Sequence, residues 1–240
     1  MVKGIQTSGA AMRPAMLAQA ILAHNLANAN TDGFRQDRIA FARPASASRE
    51  PVAGESPSGA PELRAALDTS PGPYQVTQEP LDLALQGDGY FVVATPEGER
   101  YTRVGHFRMS TEGTLVTPQG FPVLGSGGPL TLPRAGGLRV TANGEIRDEQ
   151  QVFGQVRVVR FEAEQEAPLR RAGAGLYASS AEPVEAEGVR VLQGVLEGPN
   201  VQPLQALVEM VTLLRHFEMN EKALRAQDES LGRLIESARA

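Results

Sequence analysis

Apolar positions recur with a helical period along the last forty residues. Leu207, Leu214, Glu221, Asp228 and Ile235 fall on one row of sevens, and Met210, Phe217, Leu224 and Leu231 on a second row three residues further on. Together the rows give the three-four alternation of a coiled-coil a/d seam. Leu204, Val208 and Val211 widen the stripe over the first turns. No Gly or Pro intervenes between Pro203 and Gly232, so the pattern predicts one helix about 45 Å long at about 1.5 Å per residue. A helix of that length with such a stripe needs a partner surface. The two acids in the seam, Glu221 and Asp228, cost stability there and can fix register or partner choice.

A second helical pattern opens the chain, over residues 5–29. Met12, Met16, Ala20, Ala23 and Ala27 share one face, flanked by Leu17 and Ile21. Pro14 interrupts it, so either the regular helix begins near Pro14 or residues 8–13 form a bent first turn. Asn25, Asn28 and Asn30 follow, and Asp32-Gly33 is a strong stop signal. Gly33 is expected to take a positive φ that ends the helix and redirects the chain into Phe34. A plain helix terminus accounts for Asp32-Gly33 but not for three asparagines.

Between the helices the period changes. Residues 40–72 are rich in Pro, Ala, Gly and Ser and read as an extended connector. From Tyr74 to Val189 short apolar runs alternate with turn signals: Gly87-Asp88-Gly89, Pro96-Glu97-Gly98, Glu112-Gly113, Gln119-Gly120 and Asn143-Gly144. Leu81–Leu85 reads as an alternating strand and Val152–Phe161 as one more strand. The pattern predicts an antiparallel sheet folded on itself. The expected fold class is therefore α+β. Terminal helices pair in a coiled-coil-like assembly domain around a central, mainly antiparallel β domain. The boundaries are 1–35 for the first helix, 36–73 for the connector, 74–192 for the β domain and 193–240 for the last helix.

Composition narrows the function. The net charge of −5 argues against a nucleic-acid surface. The chain has no Cys, which excludes disulfides, thiolate metal sites and Cys nucleophiles. No apolar run reaches the length of a membrane span, and Arg13, Gln19, His24 and Asn25 break up any signal-peptide core near the start. His24, His106 and His216 fall in three different elements without ligand spacing. Asp82 and Asp88 could be imagined as a carboxylate pair, but each reads as a strand or turn residue. Arg100, Arg103, Arg108 and Arg139 read as solvated strand positions. No enzyme, cofactor, metal or small-molecule substrate is expected.

Three motifs resemble one family. His24-Asn25-Leu26-Ala27-Asn28-Ala29-Asn30-Thr31-Asp32-Gly33-Phe34-Arg35 is similar to the N-terminal signature of the bacterial flagellar basal-body rod and hook proteins. Leu196-Glu197-Gly198-Pro199-Asn200-Val201-Gln202 resembles their Leu-Glu-x-Ser-Asn-Val-Asn motif, departing at Pro199 and Gln202. The helix that follows, through Arg215-His216-Phe217-Glu218, resembles theirs too. Leu81–Phe91, Tyr101–Phe107, Leu115–Gly125 and Ser126–Pro133 resemble the family's central domain, most closely that of its proximal rod branch.

The resemblance implies a structural subunit of the proximal rod. Its partners would be copies of itself, neighbouring rod proteins and the flagellar type III export apparatus, with no nucleic acid. Its location would be the periplasm-spanning rod of the basal body, reached without a cleavable signal peptide. The distal rod protein of the same family and a secreted coiled-coil stalk or adhesin are the alternatives. The expected assembly interface is Met12, Met16, Leu17, Asn25, Leu26, Asn28, Asn30, Gly33, Phe34, Asn200, Val201, Leu207, Met210, Leu214, Phe217, Glu221, Leu224 and Leu231.

Overall fold

The structure is a computed structural model that describes residues 2–42, 62–133, 137–149, 151–161 and 169–239. Its contacts divide the chain into two units. The first comprises Met1–Ala27, Asp37–Ala66 and Gln202–Ala240, the second Asn28–Gln36 and Leu67–Val201.

The first unit holds both helices, α1 (Val2–Ala27) and α2 (Pro203–Arg239), which pack on one another. The helix α1 starts earlier than the periodicity suggests and runs through Pro14 without ending. Pro203 sits at the first position of α2, where a missing N–H costs nothing, and the first intrahelical bond runs from Ala206 N–H to the Gln202 carbonyl at 3.0 Å. The helix α2 also continues past Gly232 to Arg239. It is therefore about 55 Å long, since each residue adds about 1.5 Å. A two-stranded ribbon, Asp37–Ala42 with Glu62–Leu67, follows α1. Most of the predicted connector lies outside the described residues.

The second unit is the β domain. Its largest sheet has six antiparallel strands, in the spatial order 170–171, 176–178, 98–102, 90–95, 158–160, 184–185. The hairpin Tyr90–Thr95 with Gly98–Thr102 lies at its centre, closed by the Pro96-Glu97 turn. Tyr90–Thr95 is buried on both faces, as a central strand rich in aromatic and β-branched residues should be. Phe91 and Val93 enter one core with Leu83, Leu85, Phe107 and Leu115, where the Phe91 and Phe107 rings meet edge to face with centroids 5.2 Å apart. Tyr90 and Val92 enter the other with Tyr101, Val159 and Tyr177.

Three strand expectations are corrected. Leu83, Ala84 and Leu85 are all buried, so this segment does not alternate between core and solvent. It pairs with Arg190–Gln193 on one edge. The run Val152–Phe161 is two strands, not one. Val152–Gln155 pairs with Glu145–Arg147, and Val158–Arg160 joins the six-stranded sheet. The chain changes sheets at Val156, which bridges to Gly125. Finally, residues 195–197, grouped in sequence with the last helix, form a strand on Tyr74–Val76. Asn143-Gly144 does make the tight turn between Arg139–Val140 and Glu145–Arg147, with Gly144 at φ +82°.

Candidate functional site

The residues of the two end motifs fall in two places. Asn25 is 4% exposed and faces its own chain. Its amide donates to the Asp37 carbonyl and accepts from the Asp37 N–H, both at 2.9 Å. One side chain thus imitates a strand neighbour and fixes where the ribbon begins. His24 reaches the Asp37 carboxylate at 3.3 Å.

In the β domain, residues 28–36 and 195–201 lie against one another. Asn28 carbonyl accepts from Thr31 N–H at 3.0 Å and closes the turn after α1, while Asn30 points to solvent. Gly33 has φ +65°, as expected, and its N–H donates to the Glu197 carbonyl at 2.6 Å. Ala29, Phe34 and Val201 form a small buried cluster. Asn200 ties three stretches together: its side-chain oxygen accepts from Gln36 N–H at 2.6 Å, and its amide donates to the carbonyls of Asp68 at 3.1 Å and Ser70 at 3.0 Å. Asn200→Asp keeps the first bond but turns a carboxylate oxygen onto two carbonyls. It should therefore lower stability by about 1–3 kcal/mol in a denaturant titration, and more than Asn200→Ser.

Beneath this contact lies a buried ion cluster. Arg35, Arg103 and Glu197 are 1%, 3% and 2% exposed. Arg35 Nη2 lies 2.7 Å from Glu197 Oε1, and Arg103 Nη1 lies 3.1 Å from Oε2. Gly72 N–H also donates to Glu197 Oε1 at 3.1 Å. Arg103 donates to the Leu85 and Gly87 carbonyls and stacks 5.2 Å from the centroid of Tyr90. Burial lowers the Arg35 pKa; Glu197 opposes the shift and Arg103 adds to it. Arg171 lies over Phe34, 4.5 Å from the ring centroid, and donates to the Arg35 carbonyl. Arg103 is therefore not a solvated strand position. No periodicity marks these charges, and the one local hint is an acid flanked by apolar positions at Leu196-Glu197.

Asp82 is buried and pairs with the His106 ring at 2.8 Å, whereas Asp88 is an exposed turn residue. Asp32 lies near both Asp82 and His106. Burial raises its pKa, His106 lowers it and Asp82 raises it. A carboxyl raised on folding binds more protons in the native state, so stability declines as pH rises from about 4 through the raised value. Asp32→Asn should therefore match the parent in thermal melts below about pH 4 and gain slightly at pH 7.

The helix α2 carries apolar residues on two faces. Ala206 is buried, and Met210, Leu213, Phe217 and Glu221 are half-buried, spaced four and three apart. The neighbouring stripe is in solvent: Leu204 is 76% exposed, Leu207 44%, Val208 59%, Val211 49% and Leu214 41%. On α1, Met16 is 62% exposed, whereas Leu17 and Leu26 are half-buried. The side chains of Met12, Leu224, Asp228 and Leu231 lie outside those described.

Known proteins match this sequence along most of its length. Residues 5–35 match the family described as flagella basal body rod protein. Residues 84–148 match the flagellar hook protein FlgE/F/G D1 domain, and residues 192–237 the flagellar basal body rod FlgEFG protein C-terminal family. The chain is 35% identical to the flagellar basal-body rod protein FlgF of Salmonella typhimurium over 251 aligned residues, covering 95% of each chain. It is 33% identical to FlgF of Escherichia coli, again over 95% of each. With the rod protein FlgG of Bacillus subtilis the identity is 32%, over 90% of this chain and 91% of the other. The chain belongs to the flagellar basal-body rod protein family. Within that family its sequence is most like the members named FlgF.

Proposed function

We propose that the chain is a structural subunit of the proximal flagellar rod, and that its end helices pack in coiled-coil fashion with those of neighbouring subunits. The helices would line a tube around the export channel, with the β domains outside. The observation that carries this reading is the exposed stripe Leu204, Leu207, Val208, Val211 and Leu214. Full burial of each such side chain is worth roughly 1.5–3 kcal/mol, and a contiguous apolar patch of this kind marks an interaction surface. A head-to-tail contact repeated by every copy builds a ring or a helical filament. Other rod proteins bearing related helices would continue the same packing above and below.

Glu197 and Asn200 spend their side-chain oxygens on Arg35, Arg103, Gly72 and Gln36, which suits a mechanical joint better than catalysis. The subunit would reach the rod through the flagellar type III export apparatus. No described helix is long and apolar enough to cross a membrane. A strain deleted for this chain should yield basal bodies without a complete rod, and an epitope-tagged copy should co-purify with the rod after detergent extraction. Complete rods in the deletion strain would refute the reading.

A further inference from the structure

Two guanidinium groups and one carboxylate are buried together beneath the chain ends. Arg103 belongs to the β domain itself. Glu197 arrives with residues 195–201 and Arg35 with residues 28–36. These groups differ in which partial arrangements they permit. With Glu197 seated and Arg35 away, Arg103 and Glu197 form a neutral pair, and Arg103 keeps its bonds to the Leu85 and Gly87 carbonyls. With Arg35 seated and Glu197 away, two guanidiniums would adjoin one another without a counter-ion, an arrangement that like-charge repulsion and the cost of desolvating each oppose.

The backbone bonds point the same way. Two amide hydrogens of the N-terminal segment, Gly33 and Gln36, donate to the Glu197 carbonyl and to the Asn200 side chain. The C-terminal segment instead has a strand partner of its own, Tyr74–Val76. Glu197 touches the N-terminal segment, Gly72 and Arg103 together.

We infer that Glu197 is a conditional latch: residues 28–36 dock only onto a β domain on which residues 195–201 are already seated. The last helix is thereby rooted before the first, so a partly folded chain does not present both roots at once. The inference concerns one chain and stands apart from the rod reading.

Hydrogen exchange on the purified full-length chain tests it. Glu197→Gln leaves two buried guanidiniums without an anion. The Gly33 and Gln36 amides should then exchange at least about tenfold faster, while the strands Tyr90–Thr95 and Gly98–Thr102 keep their protection. Adding Arg35→Met to Glu197→Gln removes one of the opposed charges and should restore most of the lost protection. Arg35→Met alone should leave the strand Val195–Glu197 protected. A latch that merely supplied hydrogen bonds would instead weaken with each removal. The inference is overturned if Glu197→Gln leaves Gly33 and Gln36 protected, or if it strips the central hairpin as well. It is equally overturned if the double variant exchanges as fast as Glu197→Gln or faster, or if Arg35→Met alone frees Val195–Glu197.

Discussion

Gly33→Val should abolish motility and lower the stability of the β domain by on the order of 3–5 kcal/mol. Two separate penalties combine at this position. The backbone holds φ +65°, where a side chain costs roughly 1–2 kcal/mol and a β-branched one more. A Cβ would also lie 2.5 Å from the Arg103 carbonyl carbon and 2.6 Å from the Val104 nitrogen. These are main-chain atoms of a buried segment, so neither can swing aside as a flexible side chain would. Relief requires residues 28–36 to lift, which breaks the 2.6 Å bond from Gly33 N–H to Glu197 and draws Arg35 away from its counter-ion.

Gly120→Ala is the control for conformation alone. Gly120 has φ +90° with nothing within 4 Å of a Cβ, so only the backbone term of about 1 kcal/mol applies. Denaturant titration of the two purified variants, with swarming of the matching strains, separates the terms. Wild-type stability and swarming for Gly33→Val would show that the turn does not hold the N-terminal segment on the domain.

What could be read from the sequence depended on how local the governing interaction is. Gly33 was legible because a helix end, an Asp-Gly pair and an aromatic residue report a left-handed turn within four positions. The Asn143-Gly144 turn was legible for the same reason. The Val152–Phe161 run was misread because β propensity does not reveal that a strand leaves one sheet for another, and only Gly125 opposite Val156 marks the crossing.

Asn25 stands out as an asparagine that a helix terminus does not explain, Asn200 lies in the second end motif, and sequence assigns both to assembly. In the single chain their amides are occupied by Asp37, Gln36, Asp68 and Ser70. The Arg35–Glu197–Arg103 cluster left no periodic trace, because its members lie far apart in the chain and a buried charge looks in sequence like a surface one.

The last helix shows a further limit. Hydrophobicity ranks Leu207 and Leu214 above Ala206, so the row of sevens runs through the leucines. In the folded chain the less exposed row is Ala206, Met210, Leu213 and Phe217. A helical period of about 3.6 leaves room for a second stripe beside the first. Met210 and Phe217 belong to the covered row, Leu207 and Leu214 to the open one.

That division sets up the second large effect. Leu214 is 41% exposed in the single chain, so Leu214→Asp should leave the thermal unfolding of the purified protein nearly unchanged. In a rod the same carboxylate would be desolvated at every subunit contact, besides the loss of about 2–5 kcal/mol of leucine packing. Assembly should fail. Phe217→Asp, on the half-buried row, should instead weaken the helix pair of the isolated chain, seen as loss of helical circular dichroism at a lower temperature. Arg215→Asp, beside Leu214 but already charged and exposed, should disturb neither readout strongly.

The most direct measurement is electron microscopy of basal bodies from a Leu214→Asp strain, paired with a melt of the same purified variant and an assay of its export. The account predicts a normal melt, normal export and basal bodies without a complete rod. Complete rods carrying Leu214→Asp, or a melt that collapses with the substitution, would contradict the claim that this stripe is where one subunit meets the next.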